Sequence, residues 1–396
     1  MKIQVVSQFY YPDNFKINEI TEELTRLGHE VKVLTGLPDY TTGNIPKEYR
    51  LFRNRKQNVL GAEIKRVPII ARRKGAAFRA FNYASFIVTS SLHAIFSKKP
   101  DCDAIFVYET SPVFQALPAI IWKKRTGIKL VLYCCDLWPE SMKAWGVKEN
   151  SLIYRMVKSF SGWLYRSCDV VAITSKPFKE YLVDICRVDS DKIVYLPQHA
   201  DDIYSDIVGE YEYNGTIDFL FAGNIGAVQN IDCIIEATEL IEKDKDFVVH
   251  ILGDGSELAK CKNMVSSKKL DDKIVFHGRV PQMDTKKYYK LADCFLLTLS
   301  ADSFIGMTLP AKAQGYLSAG KPIAAAINGA AREMIEAADC GEAAAAGDAK
   351  GLAEKMSIIV DDFESYKQKG INGRKYYEKN YTKEIFIESM LNILKD

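Results

Sequence analysis

Short apolar runs alternate with amphipathic stretches along nearly the whole chain, and that alternation leaves few folds open. KIQVVS at 2–7 is followed by Ile17, Ile20, Leu24 and Leu27 on one helical face, then Gly28, then HEVKVLTG at 29–36. Apolar residues three and four apart predict a helix, the glycine beyond them its end, and the β-branched run on either side a strand. The pattern continues through IKRVPII, a helix around 79–97, DAIFVYE, a helix around 113–126, IKLVLYC, a helix around 151–166 and DVVAITS. Strands that alternate with helices pair in parallel through right-handed crossovers, so an α/β class with doubly wound sheets is expected. A second series follows the polar stretch DDIYSDIVGEYEYNGT at 201–216: IDFLFAG, a helix over 230–241, FVVHILGDG, a helix, KIVFHGRV, a helix, CFLLTLS and KPIAAAI. Two domains are predicted, and 396 residues suffice for two cores. The alanine-rich GEAAAAGDAKG at 341–351 reads as a turn into a helix.

Lysine plus arginine (53) nearly balances aspartate plus glutamate (51), so no global field draws nucleic acid and any basic contact must be local. The nine cysteines form no C-x-x-C pair and are odd in number, which favours reduced thiols over a disulfide framework or a zinc site. The opening MKIQVVSQFY lacks the apolar stretch of a signal peptide, and a cytoplasmic protein is expected. Ala80 to Phe96 is interrupted by Asn82, Ser85, Thr89, Ser90, Ser91 and His93, and falls short of the ~20 apolar residues of a membrane span. Residues 71–99 combine Arg72, Arg73, Lys74 and Arg79 with Phe78, Phe81, Tyr83 and Phe86. That mixture suits an anionic membrane surface, at the inner face of the cytoplasmic membrane, as well as it suits a core helix with a solvated basic start.

Open α/β sheets bind ligands beyond the carboxyl ends of their strands, so the loops after the strands carry the candidates. In GNIG at 223–226 the glycines let backbone approach a ligand, and the following helix offers free N–H groups to a phosphate; an ordinary turn is the plain alternative. HILGDG at 250–255 lacks a third glycine and is a weak dinucleotide signal. The five histidines, 29, 93, 199, 250 and 277, assume no clear catalytic role, though His199 lies at the domain junction. The acidic pairs at 201–202, 271–272 and 361–362 sit in polar linkers or surface turns, and no Asp-x-Asp cluster follows a strand, so no metal is expected.

FLFAGNIGAVQNID at 219–232, FVVHILGDGSEL at 247–258, KIVFHGRVP at 273–281 and TLPAKAQGYLSAGKPIAA at 308–325 occur in a telling order and spacing. With YYPDNFKINEI, GHEVKVLTGLPDY, CDLWPES and YTKEIFIESML they resemble, over essentially the whole chain, the retaining family-4 glycosyltransferases of GT-B architecture. Within that family the chain looks like the bacterial surface-polysaccharide branch that transfers N-acetylated sugars such as N-acetyl-fucosamine. The resemblance implies two Rossmann-like domains facing across a cleft: an acceptor domain over 1–200 completed by a C-terminal helix, 376–396, and a donor domain over 201–375. It implies donor contacts from Gly223, Asn224, Gly253, Thr308, Lys312 and Gln314, with Arg279 and the main chain of Val280 at the uracil edges.

The chain departs from the family at several points. The usual basic pair is replaced around Asn224 and Ala227, Val228, Gln229, and two usual glutamates fall on Met307 and Gly315. Lys312 becomes the candidate for the missing phosphate charge and for catalysis at the leaving group, while Gln314 is the nearest polar substitute at the ribose. Asn14, Phe15 and Lys16 stand where relatives carry a Gly-Gly loop, so Lys16 is expected to assist the diphosphate, and Tyr11 and Asn14 to face the acceptor. Asp136, at an acidic position of this branch, is the leading candidate for orienting or deprotonating the acceptor hydroxyl, and Glu109 at a strand end is the second. The implied reaction is metal-independent transfer from a UDP-sugar to a polyprenyl-diphosphate-linked glycan in capsule, O-antigen or exopolysaccharide biosynthesis, with no cofactor. A UDP-sugar 2-epimerase of the same fold and a catalytically silent interaction protein remain as alternatives.

Overall fold

The computed structural model describes residues 1–73, 75–200, 202–211, 215–301 and 307–395. Lys74 of the basic cluster and Asp201 of the first acidic pair lie outside the described residues. The chain divides into two compact units, Met1–Leu196 with Ile387–Asp396, and Pro197–Phe386.

The first unit is built on strands β1 (Lys2–Val6), β2 (Glu30–Thr35), β3 (Lys56–Val59), β4 (Ala62–Arg66), β5 (Ala104–Glu109), β6 (Lys129–Cys134), β7 (Val170–Ile173) and β8 (Ile193–Tyr195). Among the described residues they form one sheet in the order β3-β4-β2-β1-β5-β6-β7-β8. All neighbours are parallel except β3 and β4. β5 is buried at every residue, as a strand covered by helices on both faces must be, and its near-continuous apolar run reflects that. The β3–β4 hairpin was not expected. It turns on Leu60 and Gly61, both at positive φ (52° and 84°), the geometry of a two-residue hairpin turn, but leucine in the first position hides the usual Asn-Gly or Asp-Gly signal.

The second unit carries β9 (Ile217–Ala222), β10 (Phe247–Leu252), β11 (Ile274–Gly278), β12 (Cys294–Thr298), β13 (Ile323–Ala326) and β14 (Gly341–Ala344), in the order β11-β10-β9-β12-β13-β14, all parallel. Side chains alternate between two cores: Phe219 and Phe221 pack with Ile234 and Ile251, while Leu220 packs with Phe295 and Tyr316 on the other face. In each sheet the strand order reverses beside the first strand, next to β1 and next to β9, which places the loops after those strands where such sheets take ligands.

Two expectations need correction. Residues 341–344 are an edge strand rather than a turn, registered Ile323 to Gly341 through Ala326 to Ala344; alanine's weak strand preference concealed it. The chain also returns to the first unit later than 376. Tyr377 donates its hydroxyl to the Ala200 carbonyl at 3.2 Å, and Arg374 pairs with Asp202 at 2.6 Å, which holds the end of the helix Phe363–Asn380 on the second unit.

Candidate active site

Two loops of the second unit meet backbone to backbone. The chain turns at Gly223 after β9 and at Gly253 after β10, each with φ +148°. The Gly223 N–H donates to the Leu252 carbonyl, the Gly253 N–H to the Gly278 carbonyl and the Ile225 N–H to the Asp254 carbonyl, all at 2.9 Å. A Cβ on Gly253 would overlap the Gly223 carbonyl, so glycine is required there for contact as well as for its dihedral. An open cavity of about 660 Å³ results, lined by Gly223, Asn224, Gly253, Asp254, Arg279 and Val280 among others. Five of the expected donor contacts thus share one wall.

Lys312 reaches the same turn from another element. The helix Ala311–Ala319 starts directly after Pro310, and the Lys312 Nζ lies 3.8 Å from the centroid of Phe221. A Cβ on Gly223 would stand 2.7 Å from that nitrogen. Among the described residues the amine has no hydrogen-bond acceptor, and burial lowers its pKa to about 7. An anion at the Gly223 turn would restore its full charge. Thr308 is exposed ahead of the helix, and at Gly315 a Cβ would meet nothing within 4 Å. Gln314 does not join the cavity: it is 2% exposed and its amide donates to the Gln198 carbonyl at 2.8 Å.

Beneath the cavity wall runs a polar chain that sequence reasoning missed. Asp218 Oδ1 lies 2.8 Å from His250 Nε2, and His250 Nδ1 lies 2.9 Å from His277 Nε2. With the Asp218 carboxylate accepting from Nε2–H of His250, Nδ1 of that tautomer is left to accept from His277. His277 directly precedes Gly278, Arg279 and Val280, so the chain anchors the end of β11. The sequence signal was a polar residue within each of three apolar runs, IDFLFAG, FVVHILG and KIVFHG.

In the first unit the opening loop is tied down rather than glycine-lined. The Asp13 carboxylate accepts from the backbone N–H groups of Asp39, Tyr40 and Thr41 at 3.2, 3.1 and 3.0 Å, and from the Thr41 hydroxyl at 2.7 Å. Buried Arg66, also missed, donates to the Tyr11 carbonyl at 2.5 Å and to the Gly36 carbonyl at 3.3 Å. Tyr11 and Asn14 are exposed above this frame. Lys16 opens the helix Lys16–Arg26, but its amine pairs with Glu19 at 2.9 Å, so its charge is engaged within its own helix.

Asp136 and Glu109 leave neighbouring strands β6 and β5. Burial raises the Asp136 pKa to about 6, against the hydrogen bond it accepts from the Ser141 hydroxyl. A carboxylate of that basicity is poised to take a proton near neutral pH. Glu109 is sealed off at 0% exposure, and burial together with the Asp136 charge pushes its carboxyl well above the usual range. It lies behind Asp136 without access to a substrate, which removes it from the acceptor-contacting candidates. His199, read as lying at the domain junction, is buried, its ring centroid 5.0 Å from that of Phe386.

Two helices of the first unit carry exposed apolar faces. Ala76–Phe96 exposes Phe81, Val88, Leu92, Ile95 and Phe96, whereas Tyr83 and Phe86 of the expected aromatic set are core. Leu152–Ser167 exposes Leu152, Ile153 and Met156. No helix among the described residues is long and apolar enough to cross a membrane.

Comparison with known proteins adds the following. The family model described as "Glycosyl transferases group 1" matches residues 207–376, and that described as "Glycosyl transferase 4-like domain" matches 16–199. The chain is 25% identical over 297 residues to the probable glycosyltransferase WbjE of Pseudomonas aeruginosa, covering 70% of this chain and 71% of the relative. It is 23% identical over 343 residues to the putative colanic acid biosynthesis glycosyl transferase WcaI of Escherichia coli K12, covering 81% and 82%. Anabaena HepE, solved in complex with UDP, superposes with a TM-score of 0.72 at 12% identity over 100% of this chain and 99% of its own, a likeness of fold.

Proposed function

We propose, since this chain belongs to the family-4 glycosyltransferases of the GT-B fold, that it builds a surface polysaccharide by moving a sugar from a UDP-linked donor to a glycan on a polyprenyl diphosphate, with retention and without a metal. The branch resemblance favours an N-acetylated sugar such as N-acetyl-fucosamine. The name of WbjE favours glycosyl transfer, that of WcaI, with its colanic acid biosynthesis, favours polysaccharide assembly, and the UDP complex of HepE favours the nucleotide.

The observation that carries the donor reading is the Lys312 amine, buried and without an acceptor among the described residues, over the glycine turn that floors the cavity. A leaving diphosphate placed there would meet a cation, the free N–H groups of the helix Ala311–Ala319 and the exposed backbone of Gly223. In the retaining reaction the acceptor oxygen attacks the anomeric carbon on the face from which the diphosphate departs. The carbon–oxygen bond to the leaving phosphate breaks, and the hydroxyl proton passes to that phosphate. Asp136 then orients the hydroxyl by accepting its hydrogen bond before the proton moves to the phosphate, and forms no covalent intermediate. The exposed apolar faces of Ala76–Phe96 and Leu152–Ser167, with Arg73 and Arg155 near them, suit an anionic bilayer that would present a lipid-linked acceptor.

Saturation-transfer NMR with UDP, GDP and ADP in EDTA tests the reading. Selective UDP binding that Lys312→Ala weakens is the expected result. Binding of no nucleotide would overturn the donor site and place the silent interaction protein ahead.

A further inference from the structure

Arg72 lies after β4, against the loop that follows β2. Its backbone N–H donates to Asp39 Oδ2 at 2.7 Å, the oxygen that also takes the Asn82 amide at 2.7 Å, and the Arg73 N–H donates to the Gly43 carbonyl at 3.1 Å. The position of residue 72 is therefore held by backbone, leaving its side chain uncommitted. The guanidinium carbon lies 4.6 Å from the ring centroid of Tyr40, 5.4 Å from Phe9 and 5.6 Å from Tyr83. Phe15 completes the aromatic wall, stacked on Phe9 at 5.3 Å and edge-on to Tyr40 at 4.8 Å.

The guanidinium carbon lies over the rings of three aromatic residues, yet among the described residues its N–H groups enter no hydrogen bond or ion pair. Neither nearby acid takes the guanidinium in a hydrogen bond. Asp13 accepts from four donors of residues 39–41, and Asp39 Oδ2 accepts from the Arg72 backbone and Asn82; Asp39 Oδ1 has no hydrogen-bond partner among the described residues, and its carboxylate attracts the Arg72 charge without a direct contact. A stacked guanidinium keeps its in-plane donor fork, which matches two oxygens of a phosphate or carboxylate, and flanking rings displace the water that would weaken the contact. Tyr40, 45% exposed, offers a ring face at the same spot, as a sugar beside a charged group requires.

We propose that Arg72 is an acceptor-recognition residue, its caged guanidinium gripping two oxygens of an anionic group on the acceptor while Tyr40 packs against the adjoining sugar. The inference rests on the reading of this unit as the acceptor-binding one. The shared chemistry is an oxyanion, supplied either by the diphosphate of a lipid carrier or by the carboxylate of an acidic sugar.

The test is a titration of the full chain carrying Lys312→Met, so that the donor cavity does not capture the probe, with farnesyl diphosphate, glucuronate and farnesol followed by saturation-transfer NMR. One anion should bind, and Arg72→Gln should weaken it at least tenfold without changing the response to farnesol. The anion that shows this dependence identifies the source of the oxyanion. Because Arg72→Gln also removes a ring stack, Arg72→Lys is measured beside it at a matched melting temperature. Lysine keeps the charge but not the fork, and should recover only part of the affinity; Tyr40→Leu should cost a few-fold. Equal binding by the Arg72 and Arg72→Gln proteins, or binding of neither anion, would overturn the proposal. Absence of UDP binding to the unsubstituted chain would instead strike at the donor reading and leave this titration standing.

Discussion

The Lys312 amine is a buried cation without an acceptor among the described residues, so its replacement by methionine, of similar length and no charge, carries two opposite expectations. Its pKa falls from an ordinary 10.5 to about 7 in the folded protein. Between those values the unfolded chain holds a proton that the folded chain has released, so the stability of the unsubstituted protein rises with pH across this window. At 1.36 kcal/mol for each tenfold, the difference corresponds to about 4–5 kcal/mol as an upper bound, fully present below pH 7 and gone above 10.5. Relaxation and water around the amine reduce what is measured, and a gain of about 1–3 kcal/mol for Lys312→Met at pH 6.5 without ligand is expected. That gain should shrink steadily toward pH 10. Donor binding should move the other way, UDP affinity falling about 10- to 150-fold as a charge-assisted contact of about 1.5–3 kcal/mol is lost. Urea unfolding at several pH values, with calorimetric titration of UDP, reads both quantities. A ligand-free variant less stable than its parent at pH 6.5, or a gain indifferent to pH, would refute the picture of an unsatisfied amine awaiting an anion.

Asp136→Asn should lower turnover by about 10²- to 10⁴-fold with UDP affinity unchanged, the range for loss of a carboxylate positioned on the reacting proton. Because the base form of Asp136 prevails only above about pH 6, kcat/KM of the parent enzyme should fall as pH drops through 6, and a pH–rate profile of the variant should lack that limb. Gly253→Ala drives a Cβ into the Gly223 carbonyl at a dihedral that alanine resists, so thermal melting should show a loss of more than about 2 kcal/mol together with loss of UDP binding. Gly315→Ala, inside the helix Ala311–Ala319 with open space at its Cβ, should raise stability by about 0.5–1 kcal/mol in urea unfolding.

Why some of this was legible in the residues and some was not follows from the range over which each feature is determined. Parallel strands betray themselves locally, since a strand covered on both faces must be apolar throughout; β5, β6 and β9 could be read directly from DAIFVYE, IKLVLYC and IDFLFAG. The β3–β4 hairpin could not, because its turn places leucine where asparagine or aspartate is the usual sign, nor could β14, whose alanines carry no strand preference. The cavity wall follows the same rule. Gly223, Gly253 and Arg279 each sit at a strand end and were findable one loop at a time, whereas the conversion of Lys312 into an unsatisfied amine depends on Phe221, ninety-one residues earlier in the chain, being placed under it. Arg72 is the extreme case. Its surroundings come from the segments around Phe9, Tyr40 and Tyr83, brought together by the adjacency of β1, β2 and β4 in the sheet and by the helix after β4. In the sequence it was one member of the basic run Arg72, Arg73, Lys74, and a membrane surface was as good an explanation of its charge as any. In the fold, Arg73 is exposed beside the Phe78 ring at 5.5 Å, while Arg72 is half-buried among three rings. Neighbouring arginines with the same sequence signature thereby come to lie in different surroundings, one exposed beside a single ring and the other half-buried among three, a distinction that exists only once the strand order is known.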